Sequence, residues 1–143
     1  MTAFSSSGAT GRAMHHIGIV LTSIDAQVSS YEEMLNVRVT SGPFVDPLQE
    51  AKVVFLSRGE PGEAAVELVE PTSETSPVAS FLKRGGGIHH VCYAARDLER
   101  ELVRLRALGA LIVHPPVPAV AFQGRRIAWV YTRQKLLVEL LEE

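Results

Sequence analysis

Hydrophobic and polar positions along the chain switch between two periods, and the switch happens twice. His16 to Leu21 alternates and is rich in β-branched residues, which predicts a strand; Asp25 to Asn36 then sets Val28, Tyr31 and Leu35 on one helical face. Lys52 to Leu56 and Ala65 to Val69 return to strand character. The same order recurs downstream. His90 to Ala94 reads as a strand, Asp97 to Leu108 carries Leu98, Leu102 and Leu105 on one face before Gly109 stops the helix, and Arg126 to Tyr131 and Leu136 to Leu141 read as strands.

The two halves also match in letters. Met14-His15-His16-Ile17-Gly18-Ile19-Val20 is echoed by Ile88-His89-His90-Val91-Cys92-Tyr93-Ala94, 74 positions from His16 to His90. Val66-Glu67-Leu68-Val69-Glu70 is echoed by Val138-Glu139-Leu140-Leu141-Glu142, at the nearly equal offset of 72. Two similar offsets imply a duplicated module, strand, helix and three strands, over about 14–71 and 87–143. The connector, 72–86, is turn-rich, with a short helix expected over Val78 to Lys83 and Gly85-Gly86-Gly87 letting the chain swing across. Positions 1–13, rich in Ser, Gly, Ala and Thr, are expected to form a mobile tail ahead of one domain, 14–143.

Composition narrows the partners. The chain has 143 residues, with 14 Lys+Arg against 16 Asp+Glu, a formal charge of −2, and no basic stripe suited to phosphate backbones, so nucleic acid is not expected. Its apolar runs fall far short of the roughly 20 residues a spanning helix needs, so no membrane partner is expected either. Cys92 is the only cysteine, which excludes an internal disulfide and points to a reducing, cytoplasmic setting.

Candidate chemistry lies in the repeat. Glu67 sits within Ala64-Ala65-Val66-Glu67-Leu68-Val69, and Glu139 within Leu136-Leu137-Val138-Glu139-Leu140-Leu141. A carboxylate buried in such a strand must be protonated, paired with a cation or bound to a metal. If a pseudo-twofold axis relates the halves, His16 and His90 on the opening strands and Glu67 and Glu139 on the closing strands converge on one point. Two imidazoles and two carboxylates suit a divalent ion such as Co, Zn, Mn, Ni or Fe. Strict alternation lets only one of His15/His16 and one of His89/His90 face inward, and His16 and His90 are the ones assigned. His114, ahead of Pro115-Pro116, reads as a solvated loop residue, and Arg125, Arg126 and Arg133 as solvated surface.

These features resemble the vicinal oxygen chelate superfamily, the paired βαβββ metalloenzymes, and within it the methylmalonyl-CoA epimerase family. The resemblance is most specific in Glu67-Leu68-Val69-Glu70-Pro71-Thr72-Ser73, Ser76-Pro77-Val78-Ala79, Gly87-Ile88-His89-His90-Val91-Cys92 and Leu137-Val138-Glu139-Leu140. It implies an α+β fold in which the modules form a cupped mixed sheet around a metal cleft. His16, Glu67, His90 and Glu139 are then the ligands, and the substrate is a small acyl thioester that loses its C2 proton to give a metal-stabilised enolate. A homodimer is also implied, although the residues leave open whether the modules pair within one chain or across two. Inversion at carbon needs two acid/base groups, of which Glu139 resembles one. Where relatives carry the other, as a Glu before a Gln-Gly-Val stretch, this chain has Pro47-Leu48-Gln49-Glu50-Ala51, so Glu50 is the expected substitute for the missing carboxylate at Leu48. Alternative readings keep the scaffold: a glyoxalase-like lyase, a ferrous dioxygenase, or a resistance-type protein that binds a small molecule without chemistry.

Overall fold

The computed structural model describes residues 13–143, so the expectation for the tail lies outside the described residues except at Ala13. The first module runs β1 (Met14–Val20), α1 (Ile24–Leu35), β2 (Arg38–Asp46), β3 (Ala51–Ser57) and β4 (Ala65–Pro71). A connector with the short helix α2 (Ala79–Lys83) leads into β5 (Gly87–Ala95), α3 (Leu98–Ala107), β6 (Leu111–Pro118), a 3₁₀ turn at Val120–Phe122, β7 (Arg126–Tyr131) and β8 (Leu137–Glu142). No helix among the described residues is long and apolar enough to cross a membrane.

Eight strands form one mixed sheet in the order β2-β3-β4-β1-β5-β8-β7-β6. Within each module the opening strand lies parallel to the closing one, β1 to β4 and β5 to β8, and the other neighbours are antiparallel. The modules join within the chain through antiparallel β1 and β5.

Alternation along the strands divides the apolar residues between two faces. Val54, Leu56 and Leu68 point to α1, and Ala128, Val130, Val138 and Leu140 to α3, forming one outer core under each helix. The opposite face gathers Val53, Phe55, Val69, Cys92, Phe122, Ile127 and Leu141 into an inner core shared by both modules. Each fully buried Leu or Val on these faces contributes about 1.5–3 kcal/mol. Glu67 and Glu139 fall on the inner face, in phase with Val69 and Leu141.

The helices begin where side chains cap them. Ser23 accepts the Ala26 N–H, so α1 opens at Ile24 with Asp25 in its first turn rather than as its cap; Asp97 accepts the Arg100 N–H and starts α3. The sheet ends in β2 and β6, which carry Pro43 and Pro115, Pro116 and Pro118. Proline cannot donate to a ladder and is tolerated at a sheet edge. His114 therefore belongs to an edge strand, not to the loop its proline neighbours suggest, although it is exposed as expected.

The two ends of the sheet are tied by one buried side chain. Asp46 accepts from the N–H of Leu48 (2.9 Å) and Gln49 (3.3 Å) through Oδ1, and from the N–H of Val120 (3.1 Å) through Oδ2. It fixes the turn after β2 against the 3₁₀ turn of the other module. Replacing Asp46 by Ala strands three backbone donors and is expected to cost about 1–3 kcal/mol. Urea unfolding checks this, and an unchanged midpoint would show that the tie contributes nothing to stability.

Candidate metal centre

The centre is assembled on the β1–β5 junction. In the register of the sheet, Gly18 stands between Glu67 on β4 and His90 on β5, while Cys92 stands between His16 on β1 and Glu139 on β8. Phe55 extends the first row and Trp129 the second. The two rows are related by the repeat, so each histidine lies in line with the glutamate of the other module.

His16, Glu67, His90 and Glu139 are 0, 5, 3 and 3% exposed. His16 Nε2 lies 3.2 Å from His90 Nε2, 3.0 Å from Glu139 Oε1 and 3.5 Å from Glu67 Oε1, and His90 Nε2 lies 3.2 Å from Glu67 Oε1. Bonds of about 2.0–2.2 Å to a central ion hold neighbouring ligand atoms roughly 2.8–3.6 Å apart. The separations in the protein, 3.0 to 3.5 Å, fall within that range. Glu139 Oε1 approaches His16 without the alignment of a hydrogen bond and is buried with no hydrogen-bond partner among the described residues. A carboxylate oxygen buried in this way costs several kcal/mol unless a cation meets it, a protonated His16 in the metal-free protein or a metal ion in its place. His16, Glu67 and His90 bring one ligand atom each within 4.8 Å of one another, a grouping that fits a divalent ion, and Glu139 joins them through its 3.0 Å approach to His16.

The charges answer one another. Burial works to lower the His16 pKa, but the charge of Glu67 and the close carboxylate of Glu139 outweigh it, and the imidazole is held above its ordinary value. Burial works to raise Glu139; His16 at 3.0 Å and the charge of His90 overcome this and hold the carboxyl below the usual range. Cys92 lies beside Glu139, and burial, reinforced by the Glu139 charge, pushes its thiol far up, so it is a neutral neighbour and not a nucleophile.

Sequence reasoning missed three features. First, β-bulges occur at His15 and at the symmetry-related His89, so strict alternation fails there and the first histidine of each doublet also turns toward the centre. His15 Nδ1 lies 2.8 Å from His16 Nδ1, and His89 Nδ1 lies 2.9 Å from His90 Nδ1, which leaves both Nε2 atoms of the inner histidines for the centre. Burial lowers the pKa of both outer rings, that of His89 to about 4, so they stay neutral. The doubled His-His was the visible signal. Second, Gly18 has no Cβ because the His90 ring occupies that space: a Cβ there falls 2.0 Å from His90 Cε1. An isolated glycine among β-branched residues signals close approach.

Third, a cavity of about 390 Å³ opens beside the centre. Its walls are largely apolar, with Val53, Val69, Phe122, Ile127 and Trp129 among them; Glu67, His90 and Glu139 line its floor, and His114 its side. Glu50 is not on this wall. It sits at φ +48° in the turn before β3, and its carboxylate accepts from Ser73 Oγ (2.7 Å) and Thr75 Oγ1 (2.5 Å). Those hydrogen bonds, Thr75 first, hold it below the ordinary carboxylate range. The expectation that Glu50 faces the site is corrected, because a turn with left-handed backbone replaces the extended strand that would have aimed it inward. Arg126 is paired with Glu99 (2.7 Å) and Glu142 (2.6 Å).

Comparison with known proteins fits this geometry. The family model of the Glyoxalase/Bleomycin resistance protein/Dioxygenase superfamily matches residues 15–129, and the chain belongs to that superfamily. Among its relatives, the ethylmalonyl-CoA/methylmalonyl-CoA epimerase of Cereibacter sphaeroides is 28% identical over 131 residues, 89% of this chain and 95% of that one. The uncharacterized protein YqjC of Bacillus subtilis is 32% identical over 132 residues, 90% of this chain and 91% of that one. A variant of Streptomyces coelicolor methylmalonyl-CoA epimerase, solved with 2-nitronate-propionyl-CoA, superposes with a TM-score of 0.78 at 26% identity, covering 92% of this chain and 97% of the other.

Two outcomes test the centre. Gly18→Ala is expected to push the His90 ring aside and weaken Co²⁺ or Zn²⁺ binding about 10–100-fold by calorimetry; unchanged affinity would contradict this packing. Because a metal must displace the proton that the carboxylates hold on His16, affinity is expected to rise with pH through and above pH 6.5, about tenfold per unit for each proton released, and to level off once His16 is neutral. A flat profile between pH 6 and 8 would exclude a protonated His16 in the metal-free protein.

Proposed function

We propose that this chain is a divalent-metal-dependent epimerase that moves the C2 proton of a methylmalonyl-CoA-like acyl thioester. The observation that carries the reading is the convergence of His16, Glu67 and His90, with Glu139 Oε1 3.0 Å from His16, beside an apolar cavity that Glu67, His90 and Glu139 line. The names of its epimerase relatives support the substrate class.

His16, Glu67, His90 and Glu139 would hold the ion, which when bound supplies a Lewis acid that polarises a carbonyl and makes the adjacent C–H more acidic. The chain does the rest. Glu139, kept ionised by His16 and His90, has a carboxylate at the floor able to accept the C2 proton. Phe122, Ile127 and Trp129 keep bulk water from the reacting carbon, which strengthens every charge interaction within the cavity. The outer histidines, His15 and His89, hold the ligand rings in place.

The test is proton NMR of methylmalonyl-CoA in deuterated water with metal-loaded protein. Loss of the C2 proton above a chelator-treated control is expected, and Glu139→Gln is expected to slow it about 10²–10⁴-fold. Exchange no faster than in the control would overturn the reading.

A further inference from the structure

Inverting a carbon takes a proton from one face and returns one to the other, and Glu139 serves one face only. The turn where relatives carry a second carboxylate offers no substitute: Leu48 is apolar and 66% exposed, and Glu50 is bound to Ser73 and Thr75. Of the other titratable residues on the cavity wall, Glu67 and His90 belong to the centre, Asp46 has both oxygens engaged by backbone N–H groups, and His89 is bound to His90. His114 remains.

We propose that His114 Nε2 is the second proton-transfer group, acting on the substrate carbon from the face opposite Glu139; this rests on the epimerase reading above. The sheet register supports it. His114 pairs with Trp129, and Trp129 pairs with Glu139, so the three line one inner face of the cup. The strands that carry His114 and Glu139 are two spacings apart, about 10 Å, with the Trp129 ring between them and room above it for a small acyl group. A register shift on each side of His114 breaks the regular ladder, and Pro115 and Pro116 stiffen the segment that follows. Nδ1–H donates to the Pro115 carbonyl at 2.8 Å, which fixes the ring and leaves Nε2 to exchange a proton. The exposed edge of the ring connects it to water.

The step balances. In one direction the Glu139 carboxylate takes the C2 proton, the C–H electron pair moves into the adjoining carbonyl, and the protonated His114 ring gives its Nε2 proton to the opposite face of the planar carbon, forming the new C–H bond. Glu139 then returns its proton to water and His114 takes one up. The reverse reaction exchanges the two roles.

The experiment uses the metal-loaded full chain, His114→Gln, and each pure epimer of methylmalonyl-CoA in deuterated water, reading C2 deuteration by NMR and epimer identity by a chiral enzymatic assay. Wild type is expected to deuterate and interconvert both epimers. His114→Gln is expected to lose interconversion by a factor of about 10² or more, while still deuterating, with retention, the single epimer whose proton faces Glu139. Interconversion at the wild-type rate, or equal loss of deuteration from both epimers, would overturn the role of His114. A wild type that deuterates neither epimer would instead overturn the epimerase reading, and this proposal with it.

Discussion

The antiparallel contact of β1 with β5 places two buried imidazole nitrogens 3.2 Å apart, each facing a carboxylate from the other module. Glu67 and Glu139 are affordable in otherwise apolar strands only because His16 and His90 face them, and the histidines reach them only because β4 and β8 run parallel beside β1 and β5. Neither module holds the full donor set, so the site exists only when both have folded and docked.

Duplication accounts for the ligands, and divergence between the copies accounts for the cavity. Gly18 and Cys92 occupy equivalent positions, yet Gly18 leaves its side-chain space to the His90 ring, whereas Cys92 fills its own with a thiol beside His15 and His16. Phe55 and Trp129 are also equivalent, but only Trp129 is on the cavity wall. The symmetry thus ends at the donor atoms. The walls around them are one-sided, with His114 entering from one edge strand and the Asp46 tie closing the opposite end against the 3₁₀ turn.

The repeat made the centre legible in the sequence. A lone Glu in an apolar strand is ambiguous, but the same Glu at matching places in two copies, beside a matching His, points to convergence. The helices were legible from their apolar faces, with boundaries blurred by a residue or two because Ser23 competes with Asp25 for the cap. The edge strands were not legible, since β2 and β6 are rich in exposed and proline positions and depend on partners far along the chain. The bulges at His15 and His89 left only the doubled His-His as a local signal, because register is a property of two strands. Glu50 turns away from the cavity because its turn is built around Asp46 and closed by Ser73 and Thr75, all outside the short window from which its direction was inferred.

The central claim is that one ion is held jointly by both modules. The direct measurement is metal content by mass spectrometry after cobalt loading and exhaustive dialysis, for wild type, His90→Ala and Glu139→Ala. The account predicts one ion per chain in wild type and its loss in both variants, with far-ultraviolet circular dichroism showing that the sheet survives. Equal metal content in all three folded proteins would contradict it.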